Sequence, residues 1–136
     1  MRIYVPITWE ELSAPEISAR PVFTAAELQG VFDDDETAEL YAQQRASDMA
    51  LAVLRCVRRV ILAADVAAAG EPIGEDPARY LLGAPLSWDD VAALLVDEPD
   101  VPEVLAAAAD PSEAKLEAAA AVPLLWYDAS ERGALS

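Results

Sequence analysis

Histidine is absent from this chain of 136 residues, and cysteine occurs only once, as Cys56. Without histidine there is no imidazole general base and no Ser-His or Cys-His nucleophile pair. One cysteine excludes an internal disulfide and a thiolate zinc cage. The chain has only five glycines, and they form no Gly-rich phosphate-binding loop. We therefore assign no catalytic residue and expect no cofactor.

Positive charge is also scarce. The chain has 25 acidic and 9 basic residues, which gives a net charge of −16. Its one basic cluster, Arg55, Arg58 and Arg59, is predicted to close a helix at the negative end of the dipole. Because nucleic-acid binding needs a basic stripe, we expect no direct contact with nucleic acid. The charge instead favours a partner protein with a basic surface.

Long hydrophobic runs are missing as well. The longest, residues 60–69, is interrupted by Asp65 and is far too short to span a membrane. The first eight residues, MRIYVPIT, are too few and too polar for a signal peptide. We therefore expect a cytoplasmic protein that makes no contact with a membrane.

A seven-residue phrase occurs twice, as PITWEEL at residues 6–12 and as PLSWDDV at residues 85–91. In each copy a hydroxyl residue, Thr8 or Ser87, suits the N-cap of a helix, and an acid three positions later can reach back to it. Each copy is predicted to mark the end of a strand and the start of a helix. The repeat indicates either an ancient duplication or independent use of one junction.

Hydrophobic patterning predicts an α+β fold, with a mixed four- or five-stranded sheet packed against one long helix and a C-terminal pair of short helices. The long helix is predicted at 34–57, and capping signals at Asp100 and Asp110 begin the short pair. Strands are predicted at 2–8, 20–24, 60–65, 79–86 and 92–97, although the last segment also fits a helix. Residues 1–128 form one predicted domain, and 129–136 a frayed tail.

Four segments in order, MRIYVPIT, VILAADV, APLSWDDVAALLVDE and LLWY, resemble a family of small, acidic, actinobacterial proteins. That family is catalogued only as a domain of unknown function. The similarity covers nearly the whole chain. It implies no activity, cofactor or catalytic residue.

Two aspartates, Asp65 and Asp97, each end an apolar strand. If these strands are adjacent and parallel, both carboxylates lie at one edge of the sheet with Glu98 nearby. Ligands of α/β sheets collect at such an edge, and clustered carboxylates hold Mg²⁺ or share a proton. The structural alternative is that aspartate ends strands because it favours turns and caps.

Aromatic residues are the second set of candidates. Trp9 and Trp88 occupy equivalent positions in the repeated phrase, and Trp126 and Tyr127 lie near the end of the chain. Tryptophan and tyrosine are over-represented among residues that anchor protein interfaces. The structural alternative is that the indoles pack against neighbouring strand ends, as in a hydrophobic staple.

Three functions remain open at this point. The leading hypothesis is a non-catalytic, acidic protein-interaction module. One alternative is a nucleic-acid mimic that binds a basic DNA-binding protein, and the other is a small carboxylate- and Mg²⁺-dependent enzyme. The sequence leaves the partner's identity and the oligomeric state open.

Overall fold

A sheet of seven strands organises the described part of the chain. The structure, a computed structural model, describes residues 1–28, 31–32, 34–56, 58–100, 122 and 124–135. The strands are β1 (Arg2–Ile7), β2 (Pro21–Phe23), β3 (Val60–Asp65), β4 (Glu71–Pro72), β5 (Arg79–Leu81), β6 (Val91–Val96) and β7 (Leu125–Asp128). Their order is β4-β5-β2-β1-β3-β6-β7, and every neighbouring pair is antiparallel. Within the described residues, the α-helices are α1 (Asp35–Ala52) and the short α2 (Arg132–Leu135).

The predicted combination of helix and sheet is confirmed, but the predicted strand count and the mixed sheet are wrong. The two additional strands are β4 and β7. Strand β4 has only two residues and lies in a loop rich in Gly and Pro, so it carries no period-two pattern. The segment predicted to begin at Asp100 and form the helical pair lies almost entirely outside the described residues.

Strand β3 is buried on both of its faces, which explains why it is continuously apolar. On one face Val60 and Leu62 join the side chains of Ile3, Val5 and Ile7 in β1. On the other, Ile61 and Ala63 pack together with the residues of α1. Because both faces are covered, the central strands cannot show the polar alternation of a half-exposed sheet.

Helix α1 packs on the sheet through a row of alanines at four-residue spacing, namely Ala38, Ala42, Ala46 and Ala50. Its N-cap is Asp34, whose carboxylate accepts a hydrogen bond from the backbone N–H of Thr37. The helix ends at Ala52, so the predicted end at residue 57 is wrong. Arg55 then adopts a left-handed backbone with φ of 55°, which turns the chain away from the helix axis.

Both copies of the repeated phrase form 3-10 turns, Trp9–Ser13 and Trp88–Asp90. The Ser87 hydroxyl accepts a hydrogen bond from the N–H of Asp89, as an N-cap does. Thr8 differs, because its hydroxyl and its N–H both donate to Oε1 of Glu11. The first copy follows β1, whereas the second leads directly into β6. The two copies are therefore alike locally and differ in their place in the fold.

Glu11 offers a test of the first copy. Its carboxylate is paired with Arg20, and this pairing lowers its pKa below the ordinary value of 4.5. A lowered pKa in the folded state stabilises the protein above the unfolded pKa, and this stabilisation is lost as the pH falls through the folded value. We expect Glu11→Gln to cost about 2 kcal/mol at neutral pH and much less in acid.

The matched control for Glu11 is Asp90, which holds the equivalent position in the second copy. Asp90 is exposed, and the described part of the chain offers its carboxylate no partner. We therefore expect Asp90→Asn to change the free energy of unfolding by less than about 0.5 kcal/mol at either pH. Denaturant unfolding of both variants at two pH values is the measurement. Equal costs for the two substitutions would contradict this account of Glu11.

The segment from Ala129 to Leu135 forms a 3-10 turn followed by α2. Arg132 donates to the carbonyl oxygens of Leu12 and Ala14, and Leu135 packs against the core on the face opposite α1. The structure thus gives this segment specific contacts, and the fraying expected for residues 129–136 stays a prediction.

Candidate functional site

The two candidate aspartates do not converge. Strands β3 and β6 are neighbours, but Val60 pairs with Val96, so the strands run antiparallel. Asp65 and Asp97 therefore lie at opposite ends of a six-residue pair, about 20 Å apart along the strands. The parallel pairing on which a shared carboxylate site depended is wrong.

Each aspartate has an arginine partner instead. Asp65 is exposed and pairs with Arg2, whose Nε lies 2.8 Å from Oδ1, and this hydrogen bond lowers the pKa of Asp65. Glu98 is exposed at the other end of the strand pair, beside Asp97. Within the described ranges, no group of three or more carboxylate, imidazole or thiol side chains is placed to hold a metal ion.

Asp97 forms a buried ion pair with Arg59. The exposed fractions are 0% for Asp97 and 2% for Arg59. One carboxylate oxygen accepts from Nη2 of Arg59 at 2.6 Å, and the other accepts from Nε and from the backbone N–H, each at 2.8 Å. The guanidinium also donates to the Ser47 hydroxyl in α1 and to the carbonyl of Val122. The pair thereby joins β3, β6, α1 and the segment leading to β7.

This pair was not predicted from the sequence, which placed Arg59 at a helix end. Arg58 was also predicted at the end of the helix, but it lies beyond the end of α1, and its Nε donates to the carbonyl oxygen of Asp97. A charged residue directly before one buried strand and an opposite charge directly after another is the only local signal. Only antiparallel pairing in register brings the two charges together.

Trp9 and Trp88 are both engaged within the fold. Each indole is half-buried against the core, and each lies beneath a guanidinium, Arg58 over Trp9 at 4.2 Å and Arg132 over Trp88 at 4.0 Å. The indole N–H of Trp88 also donates to the carbonyl of Ala14. These contacts correspond to the structural alternative, in which the indoles pack against their surroundings.

Trp9 lines a cleft of about 520 Å³ together with Arg55, Cys56 and Arg58. The thiol of Cys56 donates to the carbonyl of Ile7, and burial raises its pKa. A raised pKa keeps the thiol protonated at neutral pH, so Cys56 is a poor nucleophile.

The aromatic pair near the C-terminus is divided between two faces of β7. Tyr127 packs against the core, whereas the Trp126 side chain is 54% exposed. Strand β7 pairs with β6 and is last in the sheet order. Among the four aromatic candidates, Trp126 is the most exposed, whereas the other three are partly buried.

A further surface combines exposed apolar side chains with acids at the beginning of α1. Val31 and Leu40 are 65% and 57% exposed. Phe32 contacts Tyr41 with ring centroids 5.3 Å apart, which brings the turn containing Val31 against the helical turn containing Leu40. The exposed acids Asp34, Asp35 and Glu36 lie on the same segment. We call these five residues, Val31, Asp34, Asp35, Glu36 and Leu40, the acidic face.

The charges of the acidic face are stabilised locally. The N–H of Thr37 holds the pKa of Asp34 below its usual value, so this carboxylate is ionised at neutral pH. Nearby, Tyr4 donates its hydroxyl to Glu39, and burial raises the pKa of Tyr4 to about 12. The phenol is therefore neutral at physiological pH and serves as a hydrogen-bond donor. The N-terminal turn of α1 therefore carries fixed negative charge on the same segment as the two exposed apolar side chains.

Comparison with known proteins places the chain in a family. Among the described residues, no helix combines the length and apolar character that crossing a membrane requires. The comparison with curated proteins gave no match, and neither did the comparison with solved structures. A family match does extend over residues 1–135, and it confirms the expected membership of a family that is known only as one of unknown function. The chain accordingly belongs to the family of unknown function DUF6912.

Proposed function

We propose that this protein is a non-catalytic interaction module that docks a protein with a basic surface onto the acidic face. The main observation in support is that Val31 and Leu40 lie on the same segment as three exposed acids. These two residues are among the most exposed large apolar side chains described. An apolar centre with a charged rim is the usual anatomy of a protein interface.

The charge of the face supports a basic partner. Asp34, Asp35 and Glu36 sit at the N-terminus of α1, where carboxylates are favoured by the helix dipole and need no arginine for stability. They therefore remain available to an external cation. Complementary charge accelerates encounter, whereas apolar anchors mainly slow dissociation.

The test separates these two contributions by kinetics. A candidate partner is first captured from cells on the immobilised protein, then purified, and its binding is followed at two salt concentrations. Val31→Ser with Leu40→Ser should weaken binding by about tenfold or more through faster dissociation. Asp34→Asn with Asp35→Asn and Glu36→Gln should mainly slow association and reduce its dependence on salt.

The chain offers a matched control for the apolar pair. Val53 is 65% exposed at the C-terminal end of α1, opposite to the end that bears the acids, and Leu81 is 45% exposed in β5. Val53→Ser with Leu81→Ser should leave both rate constants unchanged. If this control weakens binding as much as the test pair, or if association is indifferent to salt, the acidic face is not the docking surface.

The two alternatives have less support. The enzyme hypothesis required Asp65 and Asp97 to converge, and antiparallel pairing separates them. The mimic hypothesis required acids in a regular, phosphate-like array, whereas Asp65 is paired with Arg2, Glu11 with Arg20 and Asp97 with Arg59. We therefore retain the interaction module alone.

A further inference from the structure

A small pocket of about 230 Å³ opens between the C-terminal end of α1 and the strands β2 and β5. Its apolar wall is formed by Met49, Val53 and Leu54. Two arginines, Arg20 and Arg79, also line it, together with the carboxylate of Glu11. The pocket is smaller than the roughly 300–1,000 Å³ typical of drug-sized ligands, so any occupant is a small molecule.

Arg20 and Glu11 neutralise each other in this pocket. The five N–H groups of Arg20 are all engaged, with Glu11, with the carbonyl of Pro6, and with the hydroxyl and carbonyl of Ser18. The carboxylate of Glu11 in turn accepts from Arg20 and Thr8. Arg79 adds a second guanidinium to the same pocket, so the lining carries one positive charge in excess.

Arg79 is the unusual residue. It pairs across the sheet with Phe23, whose side chain lies in the core under α1, so Arg79 projects toward the same helix. Its Nε is buried, and the described part of the chain supplies no acceptor for it. A buried donor without an acceptor is costly, and an unpaired charge adds to that cost.

We propose that this pocket binds a small monocarboxylate with an apolar body. The carboxylate pairs with the guanidinium of Arg79, whose charge is in excess within the pocket, and the hydrocarbon part lies against Met49, Val53 and Leu54. Arginine binds carboxylates through two parallel hydrogen bonds, which sets the orientation of the ligand. The site is separate from the acidic face and does not depend on the proposed docking function.

A purely structural role for Arg79 is the competing explanation. Arginine near the C-terminus of a helix stabilises the helix dipole, and α1 has no basic residue in its last turn. If the role of Arg79 is to stabilise the dipole of α1, replacing it with methionine should lower Tm. If it serves a ligand, the same replacement removes an unsatisfied donor, so Tm should stay the same or rise.

The binding experiment uses three probes on the full chain, namely hexanoate, its uncharged counterpart hexan-1-ol, and inorganic phosphate. Binding is followed through the NMR signal of the Arg79 Nε–H, which is assigned by its loss in Arg79→Gln. We expect hexanoate to shift this signal at concentrations up to about 10 mM and the other two probes to leave it unchanged. This comparison uses the wild-type protein and therefore holds even if a variant fails to fold.

The affinity of each variant for hexanoate is then measured through the backbone amide NMR signals of residues around the pocket. Arg79→Gln should weaken hexanoate binding by about tenfold or more. The control, Arg55→Gln, removes an equal charge from a residue outside the pocket and should change the affinity by less than about twofold. The proposal is overturned if hexan-1-ol or phosphate binds as well as hexanoate, if Arg79→Gln retains the affinity, if hexanoate causes no shift, or if Arg79→Met lowers Tm.

Discussion

Replacing Asp97 by alanine should lower the free energy of unfolding by about 3–5 kcal/mol, because it leaves the Arg59 guanidinium buried without its counterion. Arg59 is 2% exposed, and its hydrogen bond to the Ser47 hydroxyl would not replace the lost carboxylate. A domain of this size has a total stability of about 5–15 kcal/mol, so this loss is a large fraction of the total. Guanidinium chloride denaturation of the two proteins measures the difference.

Two controls distinguish the buried pair from an exposed one. Asp65→Ala removes the partner of Arg2 at an exposed site and should cost less than about 1 kcal/mol. The double replacement Arg59→Met with Asp97→Leu removes both charges and should recover most of the stability lost in Asp97→Ala. If Asp97→Ala costs no more than Asp65→Ala, the pair does not hold the sheet and α1 together as we describe.

Gly70→Ala should cost about 2–4 kcal/mol, the second-largest effect that we expect for a single substitution. The backbone of Gly70 has φ of 103°, a conformation that residues with a side chain rarely adopt. An added Cβ would also overlap the carbonyl oxygen of Leu81 and lie 2.9 Å from its carbonyl carbon. To relieve this overlap, β4 would have to move away from β5, and this movement would break their pairing at the edge of the sheet.

Two other glycines separate the backbone effect from the clash. Gly74 has φ of 65° with open space around it, so Gly74→Ala should cost only about 1–2 kcal/mol. Gly83 has open space and no positive φ, so Gly83→Ala should be neutral or slightly stabilising. The three variants are compared by thermal and denaturant unfolding. If all three cost the same, close approach of Gly70 to Leu81 is not what makes that glycine necessary.

The local signals in the sequence were sufficient for several elements. The apolar run at 60–65 is β3 as predicted, since an unbroken stretch of β-branched and aliphatic residues bounded by polar ones fits a buried strand. The start of α1 at Asp35 follows from the cluster of acids and from Asp34 as N-cap. The sequence of residues 92–97 fitted either a strand or a helix. The structure shows a strand, β6, which is stabilised by pairing with β3.

The candidate sites depended on information that no local pattern carries. Asp65 and Asp97 each end an apolar strand as predicted, but whether they meet depends on the direction of pairing between the strands. The same is true of Arg59, which reads as a helix terminator and becomes the buried partner of Asp97 once α1 ends at Ala52. Long-range register, rather than propensity, determined the role of all three charges.

What the sequence alone determined is the chemistry that this protein lacks and the elements whose signals are local. The absence of histidine, the single cysteine, the net charge of −16 and the helix caps are properties of composition and near neighbours. The tertiary structure decided which charges are paired and which remain available. Asp97 is neutralised by Arg59, whereas the buried Nε of Arg79 has no acceptor among the described residues, and both facts arise from the folded arrangement of residues far apart in the chain. Pairing energies of this kind depend on distance and burial, which only the folded arrangement sets.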